Sequence, residues 1–153
     1  MKKAVLIFCA FLLSACLAQP ATAPTLAATA NAPYVIKQAD NPYAPQTGDT
    51  GWKRGEIILT STNLSERSDL TPIQNEFRAL GSMPNTCSKL RIIVNPPNDT
   101  FQIFIEIYSV TGPKLKCNNV FQQFDAAVLL GIYSAGRYTI WVNDSYVGDF
   151  VSL

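Results

Sequence analysis

The chain has 153 residues, with 12 Lys+Arg against 11 Asp+Glu and no histidine. That length suits one domain and a tail, and a charge so near zero gives no electrostatic reason to bind nucleic acid. The lack of histidine excludes Ser-His-Asp and Cys-His catalysis and any His-ligated metal site.

Lys2 and Lys3 open the chain, and Ala4 to Leu13 follow as a run of ten apolar residues. A spanning helix needs about 20 residues, so the run reads as a removed secretory signal and not as an anchor. Ser14 and Ala15 are small and precede Cys16. Leu13-Ser14-Ala15-Cys16 resembles the lipobox of bacterial lipoproteins, and the basic start and apolar run complete the match over the first sixteen residues. The resemblance implies a signal peptide at 1–15, a diacylglyceryl group on the Cys16 thiol and cleavage just before it. The protein would then sit at the cell membrane or outer membrane, with its domain on the extracytoplasmic side and membrane lipid as its first partner. A second small-residue site follows Ala18, so an ordinary secretory signal is the alternative. Each buried lipid methylene contributes roughly 0.8 kcal/mol, and two chains anchor stably where one does not.

Residues 16–51 are rich in Ala, Thr and Pro and show neither alternation nor helical spacing. Such composition cannot offset its ordering entropy, so the segment reads as a lipidated N-terminus and a disordered, flexible tether. A coil of about 35 residues spans roughly 30–35 Å. Pro33-Tyr34-Val35-Ile36 is its one apolar island, open to reading as a short strand, though the tether reading is preferred.

The domain is expected at 52–153. Gly55 to Thr62 is β-rich. Ile73 to Leu80 is ambiguous: Ile73, Phe77 and Leu80 fit helical spacing, yet the stretch also reads as a strand. Leu90 to Val94 is apolar and stops at Asn95-Pro96-Pro97-Asn98. Phe101 to Val110 alternates, with Phe101, Ile103, Ile105 and Ile107 on one face and Gln102, Phe104, Glu106 and Tyr108 on the other. Val120 to Leu130 places Phe124, Ala126, Val128 and Leu130 on one side. Arg137 to Asn143 turns Tyr138, Ile140 and Val142 inward and Thr139 and Trp141 outward. Asn143-Asp144 then leads into Tyr146 to Val151 as a terminal hairpin. About seven such strands predict a single all-β, antiparallel β-sandwich. Ala135 to Val142 resembles the tyrosine corner of immunoglobulin-like sandwiches, which implies that Tyr138 bonds back to the preceding corner.

Cys9 falls in the signal, so Cys87 and Cys117 remain as an even pair and read as a disulfide of an exported protein. Two domain cysteines are too few for a Cys₄ metal site, and no glycine-rich phosphate loop is present, so neither metal nor cofactor is expected. Paired carboxylates would be the one remaining acid–base device. The candidates Glu56, Glu66, Asp69, Glu76, Glu106 and Asp125 are scattered and read as solvated surface groups. The expectation is a non-enzymatic, membrane-anchored module that binds an envelope protein or glycan, or spaces envelope parts. The outward aromatics Phe104, Tyr108 and Trp141, with Tyr133 as a further candidate, would form its contact surface unless Ile73 to Leu80 covers them. The alternative is an inhibitor of secreted proteases, presenting the loops Ser65 to Pro72, Asn95 to Thr100 and Thr111 to Asn118.

Overall fold

The structure is a computed structural model that describes residues 32–38, 40–113 and 116–153. The signal peptide, Cys16 and the tether up to residue 31 lie outside the described residues. Ten strands are present among those described: β1 (Val35–Lys37), β2 (Lys53–Gly55), β3 (Ile58–Arg67), β4 (Gln74–Met83), β5 (Lys89–Val94), β6 (Gln102–Thr111), β7 (Gln122–Leu129), β8 (Ile132–Tyr133), β9 (Gly136–Val142) and β10 (Ser145–Ser152). Seven of these answer to the strands read from the sequence. Of the three short ones, β1 falls on the apolar island at Pro33 to Ile36, where the short-strand alternative holds and the preferred tether reading does not, and β2 and β8 were not separately legible.

Two sheets face each other. One has the order β3-β4-β7, and the other runs β10-β9-β6, with β5 on the far side of β6 and β2 beyond the end of β9. The alternation in β6 and β9 determines the packing. Ile103, Ile105 and Ile107 meet Tyr138, Ile140 and Val142 in one core with Phe77, Ala79, Ala126, Val128 and Leu130 of the opposite sheet. These side chains are almost fully removed from water, each large one stabilising the fold by roughly 1.5–3 kcal/mol. All described pairings are antiparallel except one: β6 and β9 run parallel, with Phe104 opposite Trp141.

The segment Ile73 to Leu80 resolves as strand β4, central in its sheet. Its buried residues are Phe77 and Ala79, at period two, whereas Ile73 and Leu80 are exposed. The helical spacing was therefore coincidental. Between β9 and β10, Asn143 and Asp144 both take positive φ, 44° and 66°, as a two-residue primed turn demands, and Asn tolerates this without glycine.

The tether prediction needs correction at its C-terminal end. The described residues from Ala32 onward belong to the same compact unit as the sandwich. Val35 pairs with Tyr133 and Lys37 with Ile132, joining β1 to β8. Further on, Tyr43 accepts the Ile92 N–H at 2.9 Å, and the Asn41 side chain donates to Ile92 O at 2.7 Å. A 3-10 turn at Thr47–Asp49 then presents Asp49 to Arg91 in a bidentate pair, at 2.6 and 2.7 Å. Arg91 is 6% exposed and Asp49 15%, so this is a shielded ion pair. We call the described residues 33–38 and 40–52 the strap. It covers the free edge of β5, which would otherwise present unpaired backbone groups.

Candidate functional site

The outer faces of the two sheets differ in chemistry. On the β3-β4-β7 sheet the charged outward residues are joined in ion pairs, Arg67 with Asp69 and Glu76, and Arg78 with Asp125, beside the exposed apolar side chains of Ile58 and Leu80. Those arginines draw the carboxyls of Asp69 and Asp125 below the usual carboxylate range, chiefly by hydrogen bonding. On the other sheet, the same alternation that fills the core with isoleucines turns aromatic rings outward.

Phe104 of β6 and Trp141 of β9 lie opposite each other, with ring centroids 6.3 Å apart and planes 27° apart. Tyr146 of β10 sits opposite Trp141 and meets it edge-on at 5.6 Å. The three rings thus form a row across three adjacent strands. The indole N–H of Trp141 donates to Thr139 Oγ1 at 3.3 Å, and the Tyr146 hydroxyl donates to Asp149 at 3.3 Å. Tyr108 lies further along β6, under the Arg54 guanidinium at 3.7 Å, and Arg54 also pairs with Glu106 at 2.9 Å.

Beside this row the sheet has a gap. β9 ends at Val142, opposite Ile105, and β2 ends at Gly55, opposite Ser109, so β6 lacks a neighbouring strand between them. The Asn143 side chain fills the place of a strand there, accepting the Ile107 N–H and donating to Ile107 O, both at 2.9 Å. Arg54, Glu56, Glu106, Tyr108 and Asp144 line the resulting open notch.

Of the predicted contact residues, Phe104, Tyr108 and Trp141 are half-buried on one face. β4 lies in the opposite sheet and does not cover them. Tyr133 does not belong with them: it is 4% exposed in the core, packed on Tyr138 and Phe150. Sequence reasoning missed Tyr146, which is 54% exposed. The two-residue turn carried the signal, since it sets Tyr146 opposite Trp141.

Tyr138 realises the expected corner. It is fully buried, and its hydroxyl donates to Ser134 O at 2.9 Å with Ser134 Oγ also at 2.9 Å. Phe101 takes a positive φ of 60° and sets its ring edge-on against Tyr138 at 5.3 Å. A bulky residue in that conformation is strained unless its surroundings fix it. Here Asn98 does so: its Oδ1 accepts N–H bonds from Thr100 and Gln102 at 3.0 and 2.9 Å.

Cys87 and Cys117 form the disulfide, with Cα atoms 5.5 Å apart. It ties the turn before β5 to the segment before β7, where Thr86 N–H also donates to Asn118 O at 3.2 Å. The loops suggested for protease inhibition diverge. Asn95 to Thr100 follows the end of β5 and Ser65 to Pro72 precedes β4, while the Cys117 loop follows the end of β6, at the other end of the sandwich. Lys114 and Leu115 lie outside the described residues.

Of the candidate carboxylates, Asp69, Glu76, Glu106 and Asp125 are engaged by arginines. Among the described residues no group of three or more His, Cys, Asp or Glu side chains is placed to hold a metal ion. No curated protein and no solved structure matches the chain. Over residues 77–152, from β4 to β10, the chain matches the family model of the ORF11 beta-sandwich domain, in agreement with the two facing sheets that those residues build.

Proposed function

We propose that the chain is a lipid-anchored, extracytoplasmic binding module without enzymatic activity, and that the aromatic face of the β10-β9-β6 sheet is its contact surface. The observation that carries this reading is the aromatic row itself. Both sheets pair outward charges, and the β10-β9-β6 sheet also sets Phe104, Trp141 and Tyr146 side by side across three adjacent strands with water on one side. Aromatic residues supply the largest contact area at low entropic cost, and they dominate binding hot spots. The polar notch beside the row would add hydrogen-bonding specificity. The lipobox resemblance at Leu13 to Cys16 supports the anchor, and the tether would hold the face clear of the headgroups. The expected partner is an envelope protein or glycan.

The reading is tested with two substitutions in the full chain. Cys16→Ser should move the protein from the detergent phase to the aqueous phase in a detergent partition. Trp141→Ser with Phe104→Ser should abolish retention of native envelope material while thermal unfolding stays cooperative. Unchanged partition would refute the anchor, and undiminished retention would refute the face.

A further inference from the structure

A separate cavity opens where β5 and β7 end. Its floor is core: Val94, Val128, Leu130 and Tyr133. One wall is the strap at Pro33 to Val35, and another is the Pro96-Pro97 corner. The cavity measures about 340 Å³, within the usual range of ligand sites.

None of the residues lining it is charged. Asn41 is there, but its amide is committed, donating to Ile92 O at 2.7 Å and accepting from Tyr43 N at 2.9 Å. Burial pushes the Tyr133 hydroxyl pKa upward, so the floor stays neutral. Gln38 is the remaining amide on the rim. An ion taken into such surroundings would lose its hydration without gaining a partner, whereas an apolar molecule loses nothing. At roughly 30 Å³ for each water-sized group, the space holds about eleven heavy atoms.

The strap wall is tied by few bonds. It is held at this point by the three-residue β1 on the two-residue β8, through Tyr34 N–H to Ser134 Oγ at 3.1 Å and Ser134 N–H to Tyr34 O at 3.0 Å. Opening it breaks few bonds and leaves the two sheets intact.

We propose that this cavity is a binding site for one small, uncharged, apolar molecule of about a dozen heavy atoms, entered past the strap. A short hydrocarbon chain meets that description, whether free or carried by the protein's own lipid. The site is independent of the aromatic face.

The test uses the full chain with Cys16→Ser, and 1-naphthol as the fluorescent probe. One saturable site is expected, from which 1-decanol displaces the probe and decanoate does so at least tenfold less well at neutral pH. Val94→Trp fills the cavity from the floor and Val35→Trp fills it from the strap, so a folding defect in one leaves the other informative. Each should weaken the probe at least tenfold, while Trp141→Ser leaves it unchanged. In the lipidated wild type, exclusion of the probe assigns the natural occupant to the chain's own acyl group, and free binding assigns it to an outside molecule. Absence of saturable binding, equal displacement by decanoate, or wild-type affinity in both filled variants would overturn the proposal.

Discussion

Replacing Tyr138 with phenylalanine removes one oxygen from the centre of the molecule and nothing else. The ring keeps its contacts with Phe101, Tyr133 and Phe150, at centroid distances of 5.3, 5.1 and 5.3 Å, so no large void forms. What is lost is a pair of hydrogen bonds at 2.9 Å: the one that Tyr138 donates to Ser134 O, and the contact with Ser134 Oγ. Ser134 is itself 6% exposed, so water cannot readily replace the missing hydroxyl. A neutral buried hydrogen bond is worth about 1 kcal/mol net, and a stranded partner raises the loss toward 3 kcal/mol. We therefore expect Tyr138→Phe to destabilise the domain by about 2 kcal/mol, which lowers the melting temperature by roughly 6–12 °C for a domain of this size. Urea unfolding followed by tryptophan fluorescence, with the disulfide intact, measures it. The double variant Tyr138→Phe with Ser134→Ala should be less destabilised than the two single variants added together, because the second change removes the stranded hydroxyl. A melting temperature within 1 °C of wild type would show that the corner bond does not hold β9 in place, and strict additivity in that cycle would show that the Ser134 hydroxyl contact contributes nothing.

Three further outcomes follow from the same structure. Replacing both Cys87 and Cys117 with serine frees a loop with a sequence separation of 30 residues. The loop-entropy model puts the loss at about 3.5 kcal/mol, visible as a lower urea midpoint that reductant no longer changes. At Gly136 an added Cβ would collide with the Phe101 ring, so Gly136→Ala should cost about 1–3 kcal/mol by overpacking, and Phe101→Ala in the same chain should absorb part of that cost. The strap predicts a pH dependence. Hydrogen bonds from Arg91, then from the Gln46 backbone, hold the Asp49 carboxyl at about 2, below its unfolded value near 3.9. A lowered carboxyl stabilises the fold above about pH 4, and that contribution disappears as the pH falls toward 2. Trp52, which ends the strap under Lys89 at 4.8 Å, should report a fluorescence change across that window. Asp49→Asn should remove the acid-dependent step, and coincident acid profiles for the two proteins would refute the assignment.

The aromatic face was partly legible in the sequence. Alternation along β6 and β9 is a local property, so it could place Phe104, Tyr108 and Trp141 outward without any knowledge of neighbours. It could not say that β6 and β9 lie side by side, because parallel pairing is a choice between distant strands. Tyr146 joined the row only through the register of the last turn. Tyr133 went the other way: two residues of strand are too short to show a period, and burial was decided by Phe150 and Tyr138 packing over it.

The sequence by itself determined the all-β class, the inward set of each long strand, the Cys87–Cys117 pairing and the corner at Tyr138, because each rests on period two, on counting, or on a contact only four residues long. The strap, the shielded Asp49–Arg91 pair and the cavity beneath Pro33 to Val35 were decided by the tertiary structure alone. Asp49 and Arg91 are separated by 42 residues, and Tyr34 and Ser134 by 100. Such pairs leave no local pattern. A Pro-rich segment with too little apolar surface to order itself becomes ordered once strand edges already folded offer it partners for its backbone.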